Sequence, residues 1–177
     1  TAAAGAGAAI GGCATNPVTG KSQFMLISEA DEISMDREVA PHQFSTDFGL
    51  SRDAALNDYI AAVGSSLAGI THRPHMPYSF RAVNAVHVNA YTFPGGSMAV
   101  TRGILLAMEN EAELATVLAH EIAHATARHG AERMSQALLI NLGAVGLQVA
   151  ADHGLVDLDG HAVHVDVALV EAGEDVL

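Results

Sequence analysis

The chain has 177 residues, half of them hydrophobic, with 8 basic against 20 acidic side chains and a formal charge of −12. That length suits one domain with a real core and is short for two, and the acidic balance argues against a nucleic-acid backbone or an anionic membrane surface as the main partner. No apolar run reaches the ~18 uncharged residues that mark a transmembrane helix, and one cysteine, Cys13, excludes an intrachain disulfide and a cysteine-rich zinc knuckle.

The Ala/Gly-rich start leads into Ile10-Gly11-Gly12-Cys13, which resembles a bacterial lipoprotein cleavage box and would make Cys13 a lipidated first residue of the mature chain. Thr1 carries no basic residues ahead of it, so the sequence reads as beginning inside a signal segment; the alternative is a flexible leader with an incidental thiol. Residues 1–27 are therefore assigned as leader and tether, with Asn16-Pro17 and Thr19-Gly20 as turns.

The folded body is placed at 28–150. Ser28 ahead of Glu29, Asp31 and Glu32 predicts a helix near 29–39, since carboxylates in a first turn offset the N-terminal dipole; whether it continues past Pro41 is open. Ser51 is the next candidate N-cap, for a helix over 52–70 whose core face would carry Ala55, Tyr59, Ala62, Val63 and Leu67. The proline-punctuated loop His72 to Pro77 follows. Residues 78–83, 85–88 and 98–101 then read as short strands of a small antiparallel sheet. Arg102 to Met108 reads as a short helix.

From Asn110 to Gly130 the sequence again has helical marks, with Asn110 and Glu113 at capping-box spacing and Gly130 placed to end or bend the helix. Inside it stand His120-Glu121-Ile122-Ala123-His124. Imidazoles four residues apart lie one turn apart on one face, with Cβ atoms roughly 5–6 Å apart, close enough to share a tetrahedral cation, and neutral imidazole is a good zinc ligand. Glu121, one residue after the first ligand, is placed to take a proton from water. Leu114, Leu118, Ile122 and Ala125 form the apolar stripe, and the histidines lie opposite it, where core-filling histidines would not be expected. Residues 131–150 read as a buried or partly buried helix weakened by Gly143 and Gly146. Residues 151–177 form an atypical tail.

Two further stretches stand with the motif: Asn89-Ala90-Tyr91-Thr92-Phe93-Pro94-Gly95-Gly96, and Ser97 to Leu105. With Glu111-Ala112-Glu113-Leu114-Ala115 and HEIAH-ATARH they make residues 16–134 resemble the zinc metallopeptidase family of HtpX, BepA and the CAAX prenyl proteases, most closely its periplasmic, lipoprotein-like BepA branch. The resemblance implies an α+β, mainly helical metallopeptidase domain whose HEXXH helix carries the active site and whose small sheet lines the cleft with one edge. It implies His120 and His124 as ligands of one zinc ion, Glu121 as general base, and the segment containing Asn89, Ala90 and Tyr91 as the edge that receives an extended substrate.

The family's third ligand, the first Glu of a Glu-x-x-Ala-Asp motif, has no counterpart. Glu171 in Glu171-Ala172-Gly173-Glu174-Asp175 is a candidate on spacing alone, against solvated acidic residues near a terminus; His161 and His164 with Asp159 and Asp166 are another set, unsupported by any family motif. The departure after about residue 150 suggests truncation or an altered reading frame. His129 reads as an exposed helix-end histidine favoured by the C-terminal dipole.

The function implied is a zinc metalloendopeptidase acting on unfolded or misfolded envelope proteins in the bacterial periplasm, lipid-anchored at Cys13, with outer-membrane assembly partners. The alternatives are a non-catalytic, chaperone-like module for extended polypeptides with an incomplete zinc site, and a metal-buffering lipoprotein using the His-rich tail.

Overall fold

The computed structural model describes residues 14–152. Strands β1 (Ala14–Thr15) and β2 (Ser22–Gln23) pair antiparallel. Asn16 organises the turn between them: its Oδ1 accepts from the backbone of Val18 and Thr19, both at 2.9 Å, while its Nδ2 donates to Gln23 Oε1 at 2.8 Å and to the Ala127 carbonyl at 3.1 Å. Leu26 N donates to Ser135 Oγ at 2.9 Å. Residues 14–27 are therefore docked rather than a free tether, because one buried amide satisfies both the turn and a distant carbonyl.

Helix α1 (Glu29–Thr46) opens with a capping box in which Ser28 Oγ accepts from Asp31 N and Asp31 accepts from Ser28 N. It continues through Pro41. A proline inside a helix costs about 3 kcal/mol, and the second half of α1 offsets this by burying Ala40 and packing Phe44 against Val83, Ala85 and Ala99. Helix α2 (Ala54–Ala68) is capped by Asp53, whose carboxylate accepts from Leu56 N at 3.0 Å, and not by Ser51. Its fully buried positions are Ile60, Gly64 and Ala68; of the expected face, Val63 and Leu67 pack against the core, whereas Ala55, Tyr59 and Ala62 are exposed. The cause is local: a Cβ on Gly64 would sit 2.5 Å from the Phe80 ring, so only the small-residue face lets the sheet approach.

Strands β3 (Ser79–Val83), β4 (Ala90–Thr92) and β5 (Ser97–Thr101) form a sheet in the order β3-β5-β4. β4 pairs antiparallel with β5, but β3 pairs parallel with it, Ser79 opposite Ser97 through Val83 opposite Thr101. The sheet is thus mixed, correcting the antiparallel expectation. Residues 85–88 are a loop and not a strand, because their carbonyls are drawn elsewhere: Ala85 O accepts from Gly103 N and His87 O from Thr101 Oγ1. That loop and β4 carry the chain around, so β5 enters in the same direction as β3.

Alternation then sorts the sheet's side chains into two cores. Phe80, Ala82, Met98 and Val100 face α2 and the later helices with Ile60, Leu114, Leu118 and Ile122, while Val83 and Ala99 face Phe44 of α1. Central strand β5 is buried on both faces. Helices α3 (Arg102–Ala107), α4 (Glu111–Thr126) and α5 (His129–Asp152) complete the described chain. The chain divides into two units, the first ending at Ser135. In the second, residues 136–143 of α5 are exposed, Leu139, Ile140 and Leu142 among them, whereas Ala131 and Ser135 at its start are buried, so the helix is only partly buried. None of the described helices is long and apolar enough to cross a membrane.

Gly64→Val should cost about 1–3 kcal/mol, the usual toll of overpacking, read from urea unfolding; an unchanged midpoint would mean that α2 and β3 separate freely.

Candidate active site

The motif lies on α4. Asn110 caps the helix, its Oδ1 accepting from Glu113 N at 3.1 Å, and Glu113 reaches back to Glu109 N at 3.0 Å. Leu114, Leu118, Ile122 and Ala125 are buried as the periodicity requires, which turns His120 and His124 away from the core. Their rings meet edge to face at 4.7 Å, with Nε2 to Nε2 at 3.0 Å. On its other side His124 Nδ1 lies 2.9 Å from Nδ1 of His129, which is half-buried and not the exposed helix-end residue expected.

The end of α4 is held by residues from far along the chain. Gly130 does not break the helix; Arg128 does, with a left-handed backbone at φ 61°. Such a conformation is uncommon for a side chain with a Cβ. It is stabilised here because Arg128 Nε donates to both oxygens of Glu32 and its Nη2 to the Ile27 carbonyl at 2.8 Å. Arg73, buried although its flanking loop reads as solvated, donates to Glu32 at 2.8 Å and to the Ala125 carbonyl at 2.9 Å. With Asn16 on Ala127, two orphan carbonyls at the helix end are satisfied. The neighbouring His72 and His75 are exposed.

Two imidazole nitrogens bound to one tetrahedral zinc lie about 3.3 Å apart, from Zn–N lengths near 2.0–2.1 Å; the 3.0 Å observed is within a few tenths of that. Burial first, then the charges of His120, His129 and Arg133, lower the His124 pKa, which keeps the ring neutral as a ligand must be. The pair therefore fits a zinc ion. Among the described residues no group of three metal-binding side chains converges, and Glu171, His161, His164, Asp159 and Asp166 lie outside them, as does Cys13. Burial pushes the Glu121 carboxyl up to about 7, in the range where a general base is most effective.

Strand β4 is an edge of the sheet and packs against α4. Asn89 O accepts from Thr101 N and Phe93 N donates to Ser97 O, so Asn89, Tyr91 and Phe93 turn their backbone toward β5. By alternation, Ala90 and Thr92 present N–H and C=O on the open side. Of the segment Asn89, Ala90 and Tyr91, only Ala90 thus faces outward with its backbone, and Thr92, within the same edge, faces outward beside it. The Tyr91 hydroxyl is bound by Asp47, and burial, followed by that hydrogen bond, raises its pKa. The Pro94-Gly95-Gly96 turn is shaped by contact: a Cβ on Gly95 would lie 2.5 Å from Asp36 Cβ, and Gly96 has φ 105°. Asp36 in turn accepts from Ser97 N at 2.8 Å. A hollow of about 250 Å³ flanks α4 beside Leu67, Ile70 and Ile122 and does not include the HEIAH histidines or Glu121.

A helix carrying paired imidazoles and an intervening carboxylate, beside a sheet edge in a mostly helical α+β domain, is the arrangement of a metallopeptidase. Residues 54–171 match the sequence model of peptidase family M48, and the chain belongs to that family. The match runs well beyond residue 134, where the legible likeness stops. The chain is 32% identical over 136 residues to the beta-barrel assembly-enhancing protease of Escherichia coli (strain K12), covering 75% of this chain and 28% of that protein. It is 39% identical over 84 residues to a putative beta-barrel assembly-enhancing protease of Vibrio cholerae, covering 48% and 17%. With the mitochondrial metalloendopeptidase OMA1 of Saccharomyces cerevisiae it shares 30% identity over 165 residues, covering 81% and 46%. The chain spans less than a third of the length of the assembly-enhancing proteases.

Glu32→Ala removes the buried carboxylate that Arg73 and Arg128 share, leaving Arg73 with Glu29 and Arg128 with the Ile27 carbonyl. A loss of about 3–5 kcal/mol in urea unfolding is expected, the cost of breaking a buried ion pair; a loss under about 1 kcal/mol would mean that the cluster contributes little.

Proposed function

We propose that the chain is the peptidase domain of a zinc-dependent metalloendopeptidase that cleaves extended segments of unfolded or misfolded envelope proteins in the bacterial periplasm. The observation that carries this reading is the 3.0 Å convergence of His120 and His124 Nε2 on the helix that also bears Glu121. Those two histidines would hold the metal, with a third ligand supplied from outside the described residues, Glu171 being the candidate. Zinc, when bound, polarises the scissile carbonyl and acidifies water. Glu121 takes the proton from the attacking water as its oxygen adds to the carbonyl carbon, and returns it to the leaving nitrogen as the C–N bond breaks. The outward backbone groups of Ala90 and Thr92 hold the substrate as an added strand, giving affinity with little side-chain selectivity. On this reading the chain works beside outer-membrane assembly partners, and Cys13, in its lipoprotein-like cleavage box, would supply the lipid anchor.

One observation favours a second reading, a non-catalytic module for extended polypeptides: among the described residues only two donors converge, and a catalytic zinc site uses three. Turnover decides between them. Hydrolysis of unfolded casein should be abolished by a chelator and restored by zinc, whereas stable complexes without turnover would establish the module.

Glu121→Gln should keep zinc uptake and lower kcat by about 10²–10⁴-fold, the range for loss of a general base; undiminished cleavage would remove Glu121 from the reaction. Thr92→Pro deletes one outward N–H without touching the β5 ladder. It should raise KM for extended peptides at unchanged Tm, and an unaltered KM would place the substrate elsewhere.

A further inference from the structure

The side chain that faces His124 from behind has no place in the reaction described above. His129 opens α5, is half-buried, and among the described residues its side chain hydrogen-bonds to His124, Nδ1 to Nδ1 at 2.9 Å, with the rings edge to face at 5.0 Å. Its position is built. The left-handed Arg128 just before it separates α4 from α5, and Glu32 and the Ile27 carbonyl lock that turn. Immediately after it, a Cβ on Gly130 would lie 2.9 Å from Pro94 Cγ, so the first turn of α5 is set against the tip of the β4–β5 turn.

We infer that His129 is a positioning residue: it accepts the Nδ1 proton of His124 and so fixes the tautomer in which His124 presents a bare Nε2 toward His120. Two ring nitrogens this close can share only one proton. If His124 kept its proton on Nε2, that proton would occupy the space between the two rings and neither lone pair would be free for a shared cation. With Nδ1–H donated to His129, the Nε2 lone pair of His124 points into the space facing His120, and the ring is held against rotation about its Cβ–Cγ bond. His129 must then carry its own proton on Nε2. This is the part a carboxylate or backbone carbonyl usually plays behind a metal-binding histidine, where its loss costs about 10–100-fold in affinity. Here an imidazole supplies the acceptor. No proton is transferred and the charge of the site is unchanged.

The inference rests on the zinc reading, and the test separates the two. Zinc dissociation constants are measured by competition with a chromophoric chelator for the whole natural chain, His129→Phe and His129→Asn, alongside the Tm of each metal-free protein. The Asn side-chain oxygen stands near the place of the histidine Nδ1 and can accept the same proton, whereas Phe fills the space and accepts nothing. His129→Phe should bind zinc about 10–100-fold more weakly, and His129→Asn should recover most of that loss. Zinc binding by His129→Phe equal to that of the natural chain, or the two variants equally weak, overturns the inference while leaving the zinc site standing. A natural chain that takes up no zinc overturns both. Where a variant does not fold, long-range proton–nitrogen spectra of the natural zinc-loaded chain decide: a proton on His124 Nδ1 is expected, and one on Nε2 overturns the assignment.

Discussion

The carboxylate of Glu32 is fully out of solvent and is held between two guanidiniums, Arg73 at 2.8 Å and Arg128 at 3.1 Å. A buried charge is tolerable only when fully paired, and here the partners are themselves spent on the motif helix: Arg73 closes the Ala125 carbonyl, and Arg128 makes the turn after Ala127. The last turn of α4, which carries His124, is therefore positioned by residues of α1 and of the loop after α2. Neither of those segments contains a residue with an obvious chemical role.

The sheet is the second constraint on the site. Its central strand is enclosed on both faces, which fixes the register of β4, and Asp36 and the two glycines of the Pro94-Gly95-Gly96 turn fix where β4 begins to return. β4, which has the open edge, and α4, which bears the imidazole pair, are thus held in contact by packing that neither provides for itself.

The sequence discloses whatever depends on local spacing. The helix bearing His120, Glu121 and His124, its Asn110 cap and its apolar stripe all follow from residues within one another's reach. What it conceals depends on partners distant in the chain. Whether α1 runs past Pro41 is open in the sequence, and it is settled by Phe44, which belongs to the core beneath the sheet. Tyr59 outranks Gly64 in hydrophobicity, yet the ring of Phe80 selects the smaller residue for the interface. Gly130 is the residue that sequence rules nominate for the break after α4, whereas Arg128 makes it because Glu32 is waiting for its guanidinium. Parallel pairing of β3 with β5 is invisible for a related reason: the turns around β4 suggest a meander, and only the carbonyls of the 85–88 loop, taken up by Thr101 and Gly103, divert it.

The cluster around Glu32 also sets an order of events during synthesis. Glu32 and Arg73 are 41 positions apart, and Arg128 joins them from 96 positions away. Contacts of such long separation form late, after the entropy of closing the intervening loops has been met. In a nascent chain Glu32 and Arg73 precede the HEIAH segment and Arg128 follows it, so the turn after α4 closes only when partners on both sides of the motif are present. The motif helix thus reaches its final geometry as part of the folded body and not on its own.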